Sequence, residues 1–170
     1  MSPAIDLERH PLEAEVAGGR VRASMRGLSW LRLEIDPSYY LASSEPELAH
    51  DLTRVGRLLV AQRLQAQHTH DRQAGATVQA FPVGSRHRRE LDDYNDAVAQ
   101  IHDVVESPDG TVRVSAVGMA DLLVEIRPET IAHTSVTTFE RTCADTTRQL
   151  LAQHMREVWQ LRVRMFDVPG

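Results

Sequence analysis

The stretch LRLEIDPSYY (residues 31–40) alternates apolar and charged side chains and then stops at Asp36-Pro37. Ninety-one residues later, LLVEIRPETI (122–131) repeats Leu, Glu, Ile and Pro at the same offsets. Alternation of period two is the pattern of a strand with one buried face. Proline has no donor for a sheet ladder and restricts the residue before it, so it ends such a strand. One strand-and-stop written twice points to a duplicated unit.

A gap-free shift of 91 residues extends the match well beyond the strand. Gly19, Val21, Arg22, Ser24 and Gly27 meet Gly110, Val112, Arg113, Ser115 and Gly118, and Arg57, Leu59, Ala61 and Gln62 meet Arg148, Leu150, Ala152 and Gln153. There are 14 identities over the 52 positions from Gly19 to His70. Conservative swaps fill core-like positions, such as Leu48/Phe139 and Leu64/Met155. Chance does not align both glycines, the proline and the apolar register together.

Each copy carries the same local physics. Residues 13–36 alternate, with Val21, Ala23 and Met25 on one side and Arg20, Arg22, Ser24 and Arg26 on the other. Gly18-Gly19, Pro108-Asp109-Gly110, Gly27 and Gly118 supply turn chemistry. Two turns per copy predict three short antiparallel strands. Ser44 and Glu47 have capping-box spacing, and Ser135 holds the same position in the second copy. A helix is predicted over about 45–69, with Leu48, Leu52, Val55, Leu59 and Ala66 as its apolar stripe. A second is predicted over about 136–166, with Phe139, Cys143, Leu150, Leu151, His154, Val158, Leu161 and Met165. Both exceed the span of a three-stranded sheet, so each should project beyond it and meet another surface.

The predicted organisation is a leader (1–12), a first unit (13–70), a linker (71–85) and a second unit (86–170). Leu91, Tyr94, Val98, Ile101, Val104 and Val105 recur at helical intervals and predict a helix over 87–105 that the first copy lacks. The fold class is therefore α+β: two tandem units, each a three-stranded antiparallel sheet followed by a long helix.

Composition bounds the function. Apolar residues make up 42% of the chain and charged residues 25%, ordinary values for a globular protein. A formal net charge of −5 means that no overall field draws the molecule to phosphate. All 19 basic residues are Arg, which fits a GC-rich genome and also supplies phosphate forks. The lone Cys143 forms no intramolecular disulfide and fits a reducing compartment. The opening residues show no signal-peptide pattern and no run is long enough to span a membrane, so the expected location is cytoplasmic.

A strand end Glu34-Ile35-Asp36-Pro37-Ser38, the glycine turn before VRASMRGLSWLRLEIDPSYY, and the following helix ELAHDLTRVGRLLVAQRLQA together resemble the YbaB/EbfC family of nucleoid-associated proteins. The likeness covers about 13–70 and, more weakly, about 87–166, where Arg127-Pro128-Glu129 replaces Asp36-Pro37-Ser38. It implies a dimer-forming fold that binds double-stranded DNA through the phosphate backbone, with little sequence preference, no enzymatic step and no cofactor. It also implies that the two copies pack as an intramolecular pseudo-dimer located at the nucleoid. The outline is similar, too, to accessory proteins encoded beside actinobacterial type VII secretion systems. A protein partner and a homodimer of whole chains stay open.

The candidate DNA-binding residues are Arg20, Arg22, Arg26 and Arg32 on the outward face of the first sheet, Arg113 on the second, and Arg86, Arg88 and Arg89 at a helix start. The competing reading of the first face is a solvated surface balanced by Glu15 and Glu34. Arg127 is placed beside Arg113, and the acidic ELDD run after Arg89 offers internal partners to the basic start. Six arginines on phosphate would give a log–log salt slope of about −5. The HTHD run (68–71) has no second ligand pair with zinc spacing, so no metal site is expected. His154 reads as a satisfied core histidine, Cys143 as a small core residue at the repeat position of Leu52, and Trp159 as packing against the other half. Glu34 and Glu125 recur on outward faces, where they should pair with neighbouring arginines. No motif of an enzyme is present.

Overall fold

The computed structural model describes residues 11–27, 30–75 and 85–166, and the side chains of 11–27, 31–66 and 89–166. The first half contains β1 (Leu12–Val16), β2 (Val21–Arg26), β3 (Trp30–Ile35), α1 (Pro37–Ala42) and α2 (Glu45–Gly75). The second contains α3 (Ser85–Ala99), β4 (His102–Glu106), β5 (Val112–Val117), β6 (Asp121–Ile126), α4 (Thr130–His133) and α5 (Val136–Phe166). The strands form two antiparallel sheets, ordered β1-β2-β3 and β4-β5-β6. The repeat holds in the register: Ala23 pairs with Ala14 and Leu33, while Val114 pairs with Val105 and Val124.

Alternation does in three dimensions what it forecast in one. Val21, Ala23 and Met25 are buried, as are Val112, Val114 and Ala116, while the residues between them face outward. The strand stop has a further consequence. Asp36 caps a short helix that begins at Pro37, its Oδ1 accepting from the Tyr39 amide at 2.9 Å. Proline is tolerated there because the first helical turn leaves its amides unpaired anyway. The capping box at α2 is formed: the Ser44 amide donates to Glu47 Oε2 at 2.9 Å, and Ser44 Oγ accepts from the Glu47 amide at 3.4 Å. The Ser44 amide, together with the Ser44 hydroxyl that donates to the same Glu47 oxygen at 2.8 Å, holds the Glu47 carboxyl below its ordinary pKa. Ser135 caps α5 by accepting from the Thr138 amide at 3.3 Å.

Several boundaries differ from those expected. The helix 87–105 ends at Ala99, and Val104 and Val105 belong to β4. Their helical spacing was incidental, because β-branched residues also suit a strand and β5 supplies a ladder partner. The corner is enforced at Gly118 (φ +56°), which lies so close to Ala99 that an added Cβ would sit 2.5 Å from its carbonyl oxygen. Helix α2 continues to Gly75, past the start of the expected linker, and Leu12 already belongs to β1. Residues 1–10 of the leader and 76–84 of the linker lie outside the described residues.

Both halves contribute to one core. Helix α2 packs on β1 and β2 of its own sheet and then along β6 of the other, and α5 packs on β4 and β5 and then along β3. Gly56 permits the close crossing of α2, since a Cβ there would lie 2.7 Å from Leu122 Cδ2. Hydrogen bonds follow the same crossed pattern. The Val124 amide donates to Thr53 Oγ1 at 3.0 Å, Arg57 Nε to the Leu122 carbonyl at 3.0 Å, and the Ile35 amide to Glu140 Oε1 at 2.6 Å. Between α1 and α5, the fully buried rings of Tyr40 and Phe139 lie 5.3 Å apart, and the Tyr40 hydroxyl donates to the Thr134 carbonyl at 3.0 Å. Burial pushes the Tyr40 pKa up to about 12.

Candidate functional site

The strand register decides what the first outer face can offer. Glu13 and Glu15 of β1, Arg22 and Arg26 of β2, and Arg32 and Glu34 of β3 are all exposed. Arg22 stands in register between Glu15 and Glu34. Its Nε lies 3.5 Å from Glu15 Oε2, and Arg32 Nη2 lies 2.5 Å from Glu34 Oε1. Glu13, Glu15 and Glu34 thus balance Arg22, Arg26 and Arg32. The geometry matches the solvated-face reading of this surface. Arg20 does not share the face: it closes the turn before β2, where its Nε donates to the Ala17 carbonyl at 2.8 Å and its guanidinium lies 4.5 Å from the Tyr39 ring centre.

The second outer face has diverged. Arg113 lies 3.8 Å from Glu125, and Arg57 reaches over from α2 to hold Asp121 at 2.6 Å. Arg127 is exposed beyond the end of β6. Val104, Val117 and Leu123 are 40%, 37% and 45% exposed. Shifted back by 91, these positions hold Glu13, Arg26 and Arg32. Three charged positions of one face are therefore apolar on the other, bordered by a row in which Arg113 stands in register between Glu106 and Glu125. Arg89 is exposed on the first turns of α3; the side chains of Arg86 and Arg88 lie outside the described residues, as do those of Trp30 and the HTHD run.

A cavity of about 430 Å³ lies between the inner sheet faces and the two long helices. Its lining is mostly apolar, with Met25 and Leu33 from the first sheet, Met119 from the turn between β5 and β6, Leu64 from α2, and Leu151 and Met155 from α5. Among its few polar liners are Arg63 on α2 and His154 on α5. His154 is satisfied, as its sequence position suggested: Nδ1 lies 2.7 Å from Oδ2 of Asp103, which is fully buried in β4. Asp103 Oδ1 has no hydrogen-bond partner among the described residues. Arg63 is half-buried, forms no hydrogen bond or ion pair among the described residues, and has its pKa lowered by burial. Cys143 also lines the cavity, but burial raises its thiol pKa far above neutrality, so thiolate chemistry is suppressed in the folded state.

Residue reasoning did not find this cavity, because its walls come from both halves. The signal that points to it is the repeat itself, which places Arg63 and His154 at equivalent positions. Trp159, expected to be packed, is exposed. Glu34 and Glu125 pair with outward arginines as expected. Among the described residues, no cluster of three His, Cys, Asp or Glu is arranged to hold a metal ion, and no helix is long and apolar enough to cross a membrane. No protein-family model, curated protein or solved structure matches this chain.

Proposed function

We propose that the chain is a fused pair of YbaB/EbfC-like units, packed as an intramolecular pseudo-dimer, that works without catalysis as a protein-docking module. The crossed packing of α2 on β6 and α5 on β3 supports the pseudo-dimer. Fusion releases the halves from sharing one surface, because symmetry no longer makes a change on one half appear on both. The observation that carries the docking reading is the replacement of Glu13, Arg26 and Arg32 by exposed Val104, Val117 and Leu123 at the matching positions. An apolar centre bordered by charges of both signs suits a partner that presents apolar side chains ringed by polar ones.

The test converts the second face to the first. Val104→Glu, Val117→Arg and Leu123→Arg together should abolish capture of a stoichiometric, nuclease-insensitive partner while leaving the circular dichroism spectrum unchanged. Arg22→Gln, Arg26→Gln and Arg32→Gln together should leave capture intact. Equal capture by both triple variants overturns the docking reading.

A second reading, DNA binding with little sequence preference, is favoured by α5. Arg156, Arg162 and Arg164 are exposed there without an ion pair among the described residues, beside exposed Trp159. Three phosphate contacts would give a salt slope of about −3. Failure of labelled duplex to bind near 50 mM salt removes this reading.

A further inference from the structure

The cavity between the long helices is built from repeat-related parts that are not equivalent in charge. Position 154 is the repeat partner of position 63, and position 103 that of position 12. Strand register respects the second relation: Leu12 pairs with Met25, and Asp103 pairs with Ala116 at the corresponding place. In the second half a nitrogen base lining the cavity meets a buried carboxylate, His154 to Asp103 at 2.7 Å. In the first half the cationic Arg63 lines the same cavity, but Leu12 stands where the carboxylate would be. Helix α2 lies close to β1 at this level, since Gln62 Nε2 donates to the Glu13 carbonyl at 2.9 Å. Among the described residues, the first half thus has the cation without the anion.

We propose that the interhelical cavity binds a single-chain aliphatic carboxylate, its tail among the apolar walls and its carboxylate on Arg63. The ligand's carboxylate then does for Arg63 what Asp103 does for His154. Size and lining agree with this occupant. The volume of about 430 Å³ falls within the roughly 300–1,000 Å³ of small-molecule pockets. At about 30 Å³ for each water-sized group, it accepts a tail of roughly a dozen carbons. A guanidinium also matches a carboxylate by forming two parallel hydrogen bonds. Arg63 pays for its half-buried place by desolvation, and a bound anion would relieve that cost. This site is separate from the outer sheet face, so it stands or falls independently of the docking reading.

Calorimetric titration of the full chain with hexanoate, octanoate and decanoate, below their micelle-forming concentrations, provides the test, with 1-octanol as the uncharged comparison. Affinity should rise about fourfold per added methylene. Octanoate should bind at least about tenfold more tightly than octanol, as expected for a charge-assisted hydrogen bond. Arg63→Gln should erase that advantage while retaining octanol binding. Leu12→Asp, which gives Arg63 an internal carboxylate, should weaken octanoate and leave octanol unaffected. Arg63 is partly exposed, so Arg63→Gln should fold even if Leu12→Asp does not, and its octanoate-to-octanol ratio alone decides. The proposal is overturned if octanoate and octanol bind equally to the native protein, if Arg63→Gln preserves their ratio, or if decanoate gives no binding at millimolar concentration.

Discussion

Asp103 and His154 form the one buried hydrogen-bonded side-chain pair that carries potential charge into the second half's core, at 0% and 7% exposure among the described residues. Removing either partner strands the other away from water, at a cost of about 1–3 kcal/mol. Replacing both removes the polar groups together, so the double replacement should cost less than the sum. Urea denaturation of Asp103→Leu, His154→Leu and the double variant closes this thermodynamic cycle. Strict additivity would show that the two side chains are not coupled. His154 illustrates what a residue reveals by itself: its place on an apolar stripe marks it as internal, but its partner lies 51 positions away on β4, where the sequence spacing predicts helix. Arg63 gave no such local sign. Only comparison with His154 exposes it, and only the fold shows that, among the described residues, Leu12 stands where an acid would meet it.

At the scale of elements, the outer edges of β3 and β6 are closed by the opposite half. An open edge offers unpaired amides and carbonyls to any passing strand. Here Thr53 accepts from the Val124 amide, Arg57 donates to the Leu122 carbonyl, and Glu140 accepts from the Ile35 amide. Burial raises the Glu140 pKa despite its bond from Ile35. Thr53→Val keeps the side-chain shape but removes the acceptor, so it should cost about 1–3 kcal/mol. Hydrogen exchange at Val124 should accelerate selectively; unchanged protection there would show that the Thr53 hydroxyl is dispensable. The strands and long helices were legible because their periodicities differ and their caps are local. The α3–β4 boundary was not, since valines at 104 and 105 satisfy a helical spacing and a strand equally. What settles it is the ladder to β5 and the close approach of Gly118 to Ala99.

The whole molecule has one core to which both halves contribute, including Tyr40, Leu48 and Leu59 from the first and Val114, Phe139 and Leu150 from the second. A unit of roughly 60–80 residues buries too little surface to be more than marginal alone. Fragments 1–80 and 81–170 should therefore be largely unfolded apart and regain native circular dichroism when mixed. Cys143 reports the same event, because burial suppresses its thiolate: alkylation should be rapid in the isolated 81–170 fragment and slow in the mixture. A cooperative unfolding transition of either fragment alone would contradict the shared core. The sequence by itself determined the duplication, the strand pattern, both long helices and their caps, since each rests on interactions spanning only a few residues or on direct comparison of two stretches. Tertiary structure alone decided that each helix crosses to the other half's sheet, that the first arginine face is neutralised across its strands, and that Arg63 and His154 meet one cavity. Those outcomes depend on register and long-range packing, which join residues that no local pattern relates.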